Sequence, residues 1–153
     1  MSVGEALNRR ADLQKRIAQL RSRLDASVLT QEGDEPPESA QELLAEVDLL
    51  CDELQRLIAQ LNRTNASTRL STGETVTEGL AQRDVLALRQ EVLRTVIRAA
   101  TNNSLSRYSR SEIRMVRQVR VGDVQRTIDA LARRRRELET RLQEHNWTTR
   151  LME

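Results

Sequence analysis

The stretch AQELLAEVDLLCDELQRLIAQL, residues 40–61, decides the predicted fold of this chain. Its apolar residues recur in alternating steps of three and four, the spacing of an amphipathic helix. They are Ala40, Leu43, Val47, Leu50, Leu54, Leu57 and Leu61. A second stripe of Leu44, Cys51 and Ile58 makes this face wider than a two-stranded coiled coil needs. The pattern therefore predicts a bundle, with this helix over residues 39–63.

Three further segments show helical periodicity, and they predict helix 1 over residues 3–29, helix 3 over 77–100 and helix 4 over 122–145. The seam of helix 1 is Ala6, Leu13, Ile17, Leu20 and Leu24. The seam of helix 3 is Ala81, Val85, Leu88, Val92, Val96 and Ala99, widened by Leu86, Leu93, Ile97 and Ala100. The seam of helix 4 is Val124, Ile128, Leu131, Leu138 and Leu142. Short connections favour antiparallel hairpins in one coiled-coil-like domain over residues 1–153.

A small β element is predicted between helices 2 and 3 and again before helix 4. Residues 62–68, NRTNAST, carry side chains that compete for main-chain hydrogen bonds, so helix 2 is expected to fray there. Residues 68–76 then predict a β-hairpin with its turn at Gly73. The β-branched run within residues 113–121 predicts a strand that could pair with this hairpin. The fold class is thus mainly α, with four long amphipathic helices and a minor β element.

Composition restricts the class of protein. The chain has 153 residues, no Phe and only Tyr108 and Trp147 as aromatics, so the core must be aliphatic. Its basic residues are Arg except for Lys15, which suggests a GC-rich bacterial genome. The net charge is +2, but residues 32–53 carry nine acids and no base, whereas residues 107–136 carry ten Arg against three acids. A strongly basic protein is therefore excluded, although one segment is acidic and another is basic.

The sequence favours a cytoplasmic location. The first ten residues, MSVGEALNRR, lack the apolar core of a signal peptide, and no run of eighteen apolar residues occurs. The single Cys51 lies beside the seam of helix 2 and is predicted to be a buried, reduced thiol. We expect no membrane partner.

Several segments resemble small bacterial proteins of the septicolysin-like family. They are Asn62-Arg63-Thr64-Asn65, residues 107–113 (RYSRSEI), residues 146–149 (NWTT), residues 10–17 and residues 83–86. This resemblance covers nearly the whole chain and implies a cytoplasmic helical protein whose function is poorly established. The family's label implies a cytolysin, but the chain has no apolar helix that could enter a bilayer. Pore formation is therefore the most remote alternative.

The sequence gives no sign of catalysis, a metal site or a cofactor. The single His145 follows a helix without a nearby cysteine, and position 142 is Leu, so the Glu-x-x-His pattern of di-metal bundles is not met. Glu42 with Glu46, and Asp48 with Asp52, lie one helical turn apart but have no His beside them. Such carboxylates are more often a solvated face than a cation site. We predict a protein without enzymatic activity.

Two roles remain for the Arg-rich region. Arg107, Arg110 and the run Arg133 to Arg136 could contact nucleic acid phosphates, with Tyr108 stacking on a base. Four consecutive arginines on a helix point in different directions, however, and do not form one stripe. The other reading is that this region meets the acidic face of helix 2, within one chain or between chains. We predict a self-assembling interaction protein, a homo-oligomer with room for another protein partner, and keep nucleic-acid binding as the alternative.

The candidate binding or assembly residues fall into three groups. Arg10 and Arg135 interrupt their seams, and each is expected to meet an acid such as Glu46, Glu53, Asp12 or Glu139. In an up-down bundle, residues 62–65 lie near residues 145–149, and Trp147 caps that end. The full set is Arg10, Asn62, Arg63, Thr64, Asn65, Arg107, Tyr108, Arg110, Arg135, Asn146 and Trp147.

Overall fold

The computed structural model describes residues 1–102 and 116–153, and the chain is mainly helical within them. Its helices there are α1 (Val3–Ser27), α2 (Ala40–Ser67), α3 (Val76–Thr101) and α4 (Val121–Thr148). The four predicted helices are therefore confirmed, although α2 and α4 each continue past their predicted ends.

Short polar side chains set where the helices begin. Ser2 and Glu5 form a capping box at the start of α1, in which the Glu5 main-chain nitrogen donates to Ser2 Oγ at 3.1 Å. Thr75 and Glu78 form the same arrangement at α3. Helix 3 was predicted to begin at residue 77, but Thr75 is its cap, because Thr75 has the Glu three residues later that completes the box.

Helix α2 does not fray after Leu61. Thr64 Oγ1 donates to the carbonyl oxygen of Gln60 at 2.8 Å, and Ser67 Oγ donates to that of Arg63 at 2.7 Å. The hydroxyls therefore bond back to the preceding turn rather than competing with the helix. Thr64 is also buried, so packing holds this last part of α2 in place.

The described residues form no β-strand, so the predicted β element is not shown; within residues 68–76 only Arg69 and Thr75 are isolated bridge residues. Between α2 and α3 the chain makes a tight turn, in which the Leu70 nitrogen donates to Glu74 oxygen at 2.9 Å. Gly73 has φ +100°, as such a turn needs. The residues expected to extend the hairpin, Thr68 and Thr75, instead cap the helices on either side. Of the strand predicted over residues 113–121, residues 113–115 lie outside the described residues, residues 116–120 are irregular, and residue 121 begins α4.

Contacts divide the chain into two compact units. Unit 1 comprises Met1–Arg69 with Gln143–Glu153, and unit 2 comprises Leu70–Leu142. Helix α4 contributes its first part to unit 2 and its last turns to unit 1. The single domain expected over residues 1–153 stays a prediction.

Unit 1 is built on an antiparallel pair of α1 and α2. Its core contains Val3, Ala6, Leu13, Leu57 and Leu61. The seams predicted for both helices therefore face inward. The second stripe of α2 does not, since Leu44 is 53% exposed and Cys51 is also exposed. Both lie on a flank of α2 that α1 leaves open, so the predictions of a wider buried face and a buried thiol are wrong.

Unit 2 is built on an antiparallel pair of α3 and the first part of α4. Its core contains Leu70, Val76, Leu86, Leu138 and Leu142. At one end Gly79 lies so close to Leu70 that an added Cβ would be 2.7 Å from Leu70 Cδ1. Toward the other end, Gln90 is 2% exposed and its Nε2 donates to the carbonyl oxygen of Ile128 at 3.4 Å.

Helix α3 buries only one side of the broad face predicted for it. Leu86 and Gln90 are buried, and Leu93, Ile97 and Ala100 are half-buried beside them. Val85, Leu88 and Val92 of the predicted seam are 54%, 63% and 55% exposed. Sequence periodicity could not choose between the two, because α3 is apolar on both sides.

Candidate interaction surface

The exposed apolar face of α3 is the most distinctive surface in the described part of the chain. We call it the α3 stripe, and its members are Ala81, Val85, Leu88, Val92 and Ala99. All five are exposed, and the side chains of Val85, Leu88 and Val92 are each more than half accessible to solvent. A row of aliphatic side chains at helical spacing, open to solvent along one helix, is typical of a surface that binds another protein.

Charged side chains border the α3 stripe on both sides. Asp84 lies on one side and is held by its neighbour Arg83, whose Nε donates to Asp84 Oδ1 at 2.9 Å. Glu91 lies on the same side and accepts from Arg98 at 3.0 Å. Arg89 lies on the other side and makes no ion pair with any residue that the structure describes. An apolar row between charged borders is the pattern of a coiled-coil seam.

Unit 1 shows how this chain builds such a seam. Three arginines of α1, seven residues apart, form ion pairs with acids that descend along α2, which establishes the antiparallel order. The pairs are Arg9 with Glu53, Arg16 with Glu46, and Arg23 with Glu38. Arg9 holds Glu53 with two hydrogen bonds, of 2.7 and 2.9 Å. Hydrogen bonds from Arg9 and Arg23 lower the pKa values of Glu53 and Glu38.

These pairs replace the ones expected for the seam arginines. Arg10 and Arg135 are half-buried, and neither forms an ion pair within residues 1–102 and 116–153. Two of the acids expected to pair with a seam arginine, Glu46 and Glu53, instead form ion pairs with arginines at the border of the seam. The hypothesis that seam arginines find acids is thus not met within one chain, and for an assembly it stays a prediction. The heptad spacing of Arg9, Arg16 and Arg23 was the sequence signal that could have found the real pairs.

The polar end of unit 1 joins the end of α2 to the end of α4. The link is a hydrogen bond of 2.8 Å between Thr68 Oγ1 and His145 Nε2. His145 belongs to the predicted pole, whereas Thr68 was not a candidate residue. Of the candidates, Asn62 is exposed and Asn65 is half-buried. The buried Asn65 Oδ1 accepts no hydrogen bond from the residues that the structure describes.

The proton positions in this link follow from its neighbours. Thr68 Oγ1 also lies 2.7 Å from the carbonyl oxygen of Thr64, to which only the hydroxyl can donate. The hydroxyl proton is then used, so Thr68 accepts from His145, and the imidazole carries its proton on Nε2. His145 is 7% exposed, and burial lowers the pKa of this imidazole, while the side chain of Asn146 opposes the shift. The lowered pKa favours the neutral ring, and the imidazole serves a structural contact.

The two chain ends close over the same end of unit 1. Residues Ser2 and Arg150 form an antiparallel bridge, and the Val3 nitrogen donates to Thr149 oxygen at 2.9 Å. The tail then reaches α2, where the Met152 nitrogen donates to Thr64 Oγ1 at 3.0 Å. Arg63 donates to the main-chain oxygen of Glu153. Arg63 and Thr64 therefore hold the C-terminal tail, which is a structural task.

Trp147 lies against α1 although most of its side chain is open. It is 64% exposed, and an added Cβ at Gly4 would be 3.0 Å from Trp147 Cε3 and 3.1 Å from the Asn146 oxygen. Glycine allows this approach without crowding, whereas an added Cβ would require Trp147 to shift by a few tenths of an ångström. The tryptophan thus covers the start of α1, and this arrangement resembles the expected packing cap.

The Arg-rich region is only partly described, since Arg107, Tyr108 and Arg110 lie outside the described residues. In unit 2, α4 and the turn before α3 line an open cavity of about 630 Å³. Its charged residues are Glu74, Arg133, Arg134, Glu137 and Arg141. Arg133 pairs with Glu137 at 3.1 Å, so acids are interleaved with the arginines. The acidic face of α2 is instead engaged by α1 at Glu46 and Glu53.

Residues 1–102 and 116–153 contain no cluster of three His, Cys, Asp or Glu side chains placed to hold a metal ion. No helix among them is long and apolar enough to cross a membrane.

Comparison with known proteins places the fold beside uncharacterised relatives. The family model of DUF6847, a family of unknown function, matches residues 10–151. The chain is also similar to a functionally unknown conserved protein from Corynebacterium diphtheriae. That crystal structure has 33% sequence identity to it, a TM-score of 0.89 and 99% coverage of each chain. No curated protein matches. Because nothing here links the chain to septicolysin-like proteins, that resemblance stays a prediction.

Proposed function

The chain belongs to the family of unknown function DUF6847, and we propose that it is a non-enzymatic, self-assembling helical interaction protein of the bacterial cytoplasm. The observation that carries this proposal is the α3 stripe. Its three largest side chains are 54–63% exposed on a helix whose opposite face already packs in unit 2. Exposed aliphatic surface of this kind is stabilised when another apolar surface covers it, at roughly 25 cal/mol per Å² buried.

Scattered exposed apolar residues are common on soluble proteins and need no partner. The α3 stripe differs because its members follow helical spacing over about five turns of α3. Leu29 and Leu49 provide the contrast, since they are 87% and 71% exposed but lie outside this row. They are therefore matched controls for the loss of exposed apolar area.

Sedimentation velocity over a wide range of protein concentration tests the proposal. We expect the mass of the wild-type protein to rise with concentration, and the triple variant V85S/L88S/V92S to stay monomeric. The double variant L29S/L49S should assemble like the wild type. Circular dichroism checks that each variant keeps its helices. A wild-type protein that is monomeric throughout, or a stripe variant that still assembles, would overturn the proposal.

Nucleic-acid binding is the second candidate, favoured by the cavity in unit 2. Arg134 lines this cavity beside Arg133 and Arg141 and makes no ion pair with the described residues. Such a guanidinium is free to contact a phosphate. A mobility-shift titration against mixed RNA and DNA at two salt concentrations separates the two functions, because phosphate binding weakens with salt. Salt-sensitive binding that R134Q reduces, and that the off-cavity variant R136Q reduces less, would support this candidate. An absence of binding at high protein concentration would exclude it.

A further inference from the structure

We propose that a second copy of this chain packs on the α3 stripe as a parallel, in-register two-stranded coiled coil, in which Asp84 of each copy faces Arg89 of the other. This inference rests on the proposed self-assembly and adds its direction, its register and the charge pairs that select them.

The first argument is the heptad pattern of the α3 stripe. Val85, Val92 and Ala99 are seven residues apart, and so are Ala81, Leu88 and Thr95. The first set corresponds to heptad position a and the second to position d. In parallel coiled coils, β-branched residues at a with Leu at d favour two strands over three or four. Val85, Leu88 and Val92 follow this rule over the central turns, where exposure is greatest.

The second argument is that α3 has two separate apolar faces. Leu86 and Gln90 are buried in unit 2, whereas Leu88 and Val92 point to solvent. On a helix with 100° between successive residues, these pairs lie on roughly opposite sides. A second helix can therefore cover the stripe without displacing α4.

The third argument is charge. In a parallel coiled coil, a residue at position g faces the residue five positions later, at position e, in the other helix. Asp84 holds position g and Arg89 holds position e, so an in-register pair forms this contact twice. Within the described residues Arg89 makes no ion pair, and Asp84 is bound only by the adjacent Arg83. Both side chains are exposed and free to turn toward a partner.

An antiparallel pair of α3 helices does not place both the apolar residues of the stripe and the bordering charges opposite suitable partners. Equivalent g positions then face each other, as Arg9 and Glu53 show for the two helices of unit 1. If Val85 lies opposite Leu88, Asp84 faces Glu91 of the other copy, which is a like-charge contact. If Asp84 instead faces Arg98, Leu88 lies opposite Val92, but Glu91 then faces Glu91 of the other copy. Only the parallel arrangement unites the apolar residues and the opposite charges.

Disulfide trapping tests the direction, in a C51S background that removes the exposed native thiol. Residues 81 and 99 lie at the two ends of the stripe. A81C and A99C should each form a covalent dimer with itself on mild oxidation, because the parallel copies bring identical residues together. A mixture in which only the 81-to-99 product forms would show antiparallel packing. That result overturns this inference but leaves self-assembly intact.

Charge exchange tests the proposed contacts. D84R alone and R89D alone should each weaken dimerisation about tenfold, since two attractive contacts become repulsive. The double variant D84R/R89D should restore it. R94D is the matched control, because Arg94 lies away from the stripe, and it should leave the dimer unchanged. Equal weakening by all four variants, or no rescue in the double variant, would contradict the pairing. A monomeric wild-type protein would remove both this inference and the proposed function.

Discussion

Thr68 and His145 are joined by a hydrogen bond of 2.8 Å between Oγ1 and Nε2, although 77 positions separate them in the sequence. The same hydroxyl donates to the Thr64 carbonyl oxygen, so one side chain connects the end of α2 to the end of α4. Both helix ends belong to unit 1, and the contact fixes how they meet there.

Replacing the Thr68 hydroxyl by a methyl group should destabilise the protein. We expect T68V to lower the free energy of unfolding by about 1–3 kcal/mol, because the buried Nε2 of His145 loses its acceptor. T68S keeps the hydroxyl and should lose much less. Urea unfolding followed by circular dichroism measures both, and equal losses for the two variants would show that the hydrogen bond is unimportant.

The buried imidazole of His145 should make stability depend on pH. Burial lowers its pKa below the ordinary value of 6.5, so the unfolded chain binds a proton more readily than the folded protein. The contribution is therefore fully present above the unfolded pKa and is lost as pH falls through the folded pKa. Urea midpoints should decline from pH 7.5 toward pH 5.5, roughly the range in which histidine titrates while carboxylates stay ionised.

H145Q provides the control for this pH dependence, because glutamine does not titrate. Its urea midpoint should change less than that of the wild type over the same range. If both proteins lose stability in parallel as the pH falls, groups other than His145 are responsible.

The ion pairs between α1 and α2 should couple weakly and depend on salt. R9A and E53A should be less than additive in a double-mutant cycle, since removing either side chain breaks the same contact. The pair is exposed, so added salt should reduce the coupling. R10A combined with E53A is the reference cycle, and it should show no coupling because Arg10 does not bind Glu53. Identical coupling in the two cycles would mean that long-range charge, not the contact, is measured.

The close packing of Gly4 and Trp147 can be followed by fluorescence. An alanine Cβ at position 4 would be 3.0 Å from the indole, so G4A should displace Trp147 and shift its emission to longer wavelength. Trp147 is the only tryptophan, so the signal has one source.

G122A is the matched substitution, because an added Cβ there would have only Arg126 Nη1 near it, at 4.0 Å. It should leave the emission unchanged and raise the free energy of unfolding by about 0.5–1 kcal/mol through helix propensity. An unchanged emission maximum in G4A would show that the indole does not need the glycine.

Local sequence was a good guide to the existence of the helices but a poorer guide to their ends. The capping pairs Ser2 with Glu5 and Thr75 with Glu78 are short-range features, and both form. The turn between Leu70 and Glu74 was predicted correctly, but the strands predicted on either side of it do not form. From the sequence, Thr68 and Thr75 could be strand residues or helix caps. In the structure, Thr68 caps the end of α2 and Thr75 caps the start of α3.

Contacts between helices were harder to predict. Periodicity identified Arg10 as an interruption of the seam, but the ion pairs are made by Arg9, Arg16 and Arg23 at its border. A border residue and a seam residue differ by one position, and apolar spacing alone does not say which acid lies opposite. His145 was recognised as a helix-end residue, whereas its partner Thr68 depended on how the two helix ends meet.

The sequence by itself determined four amphipathic helices, the antiparallel order of neighbouring pairs and the inward faces of α1 and α2. Those features depend on the spacing of apolar residues and on short connections. Only the tertiary structure decided which side of α3 is buried, because both sides are apolar and the choice depends on where Gly79 and Gln90 can approach α4. That choice leaves Val85, Leu88 and Val92 exposed, and it created the surface on which the proposed function depends.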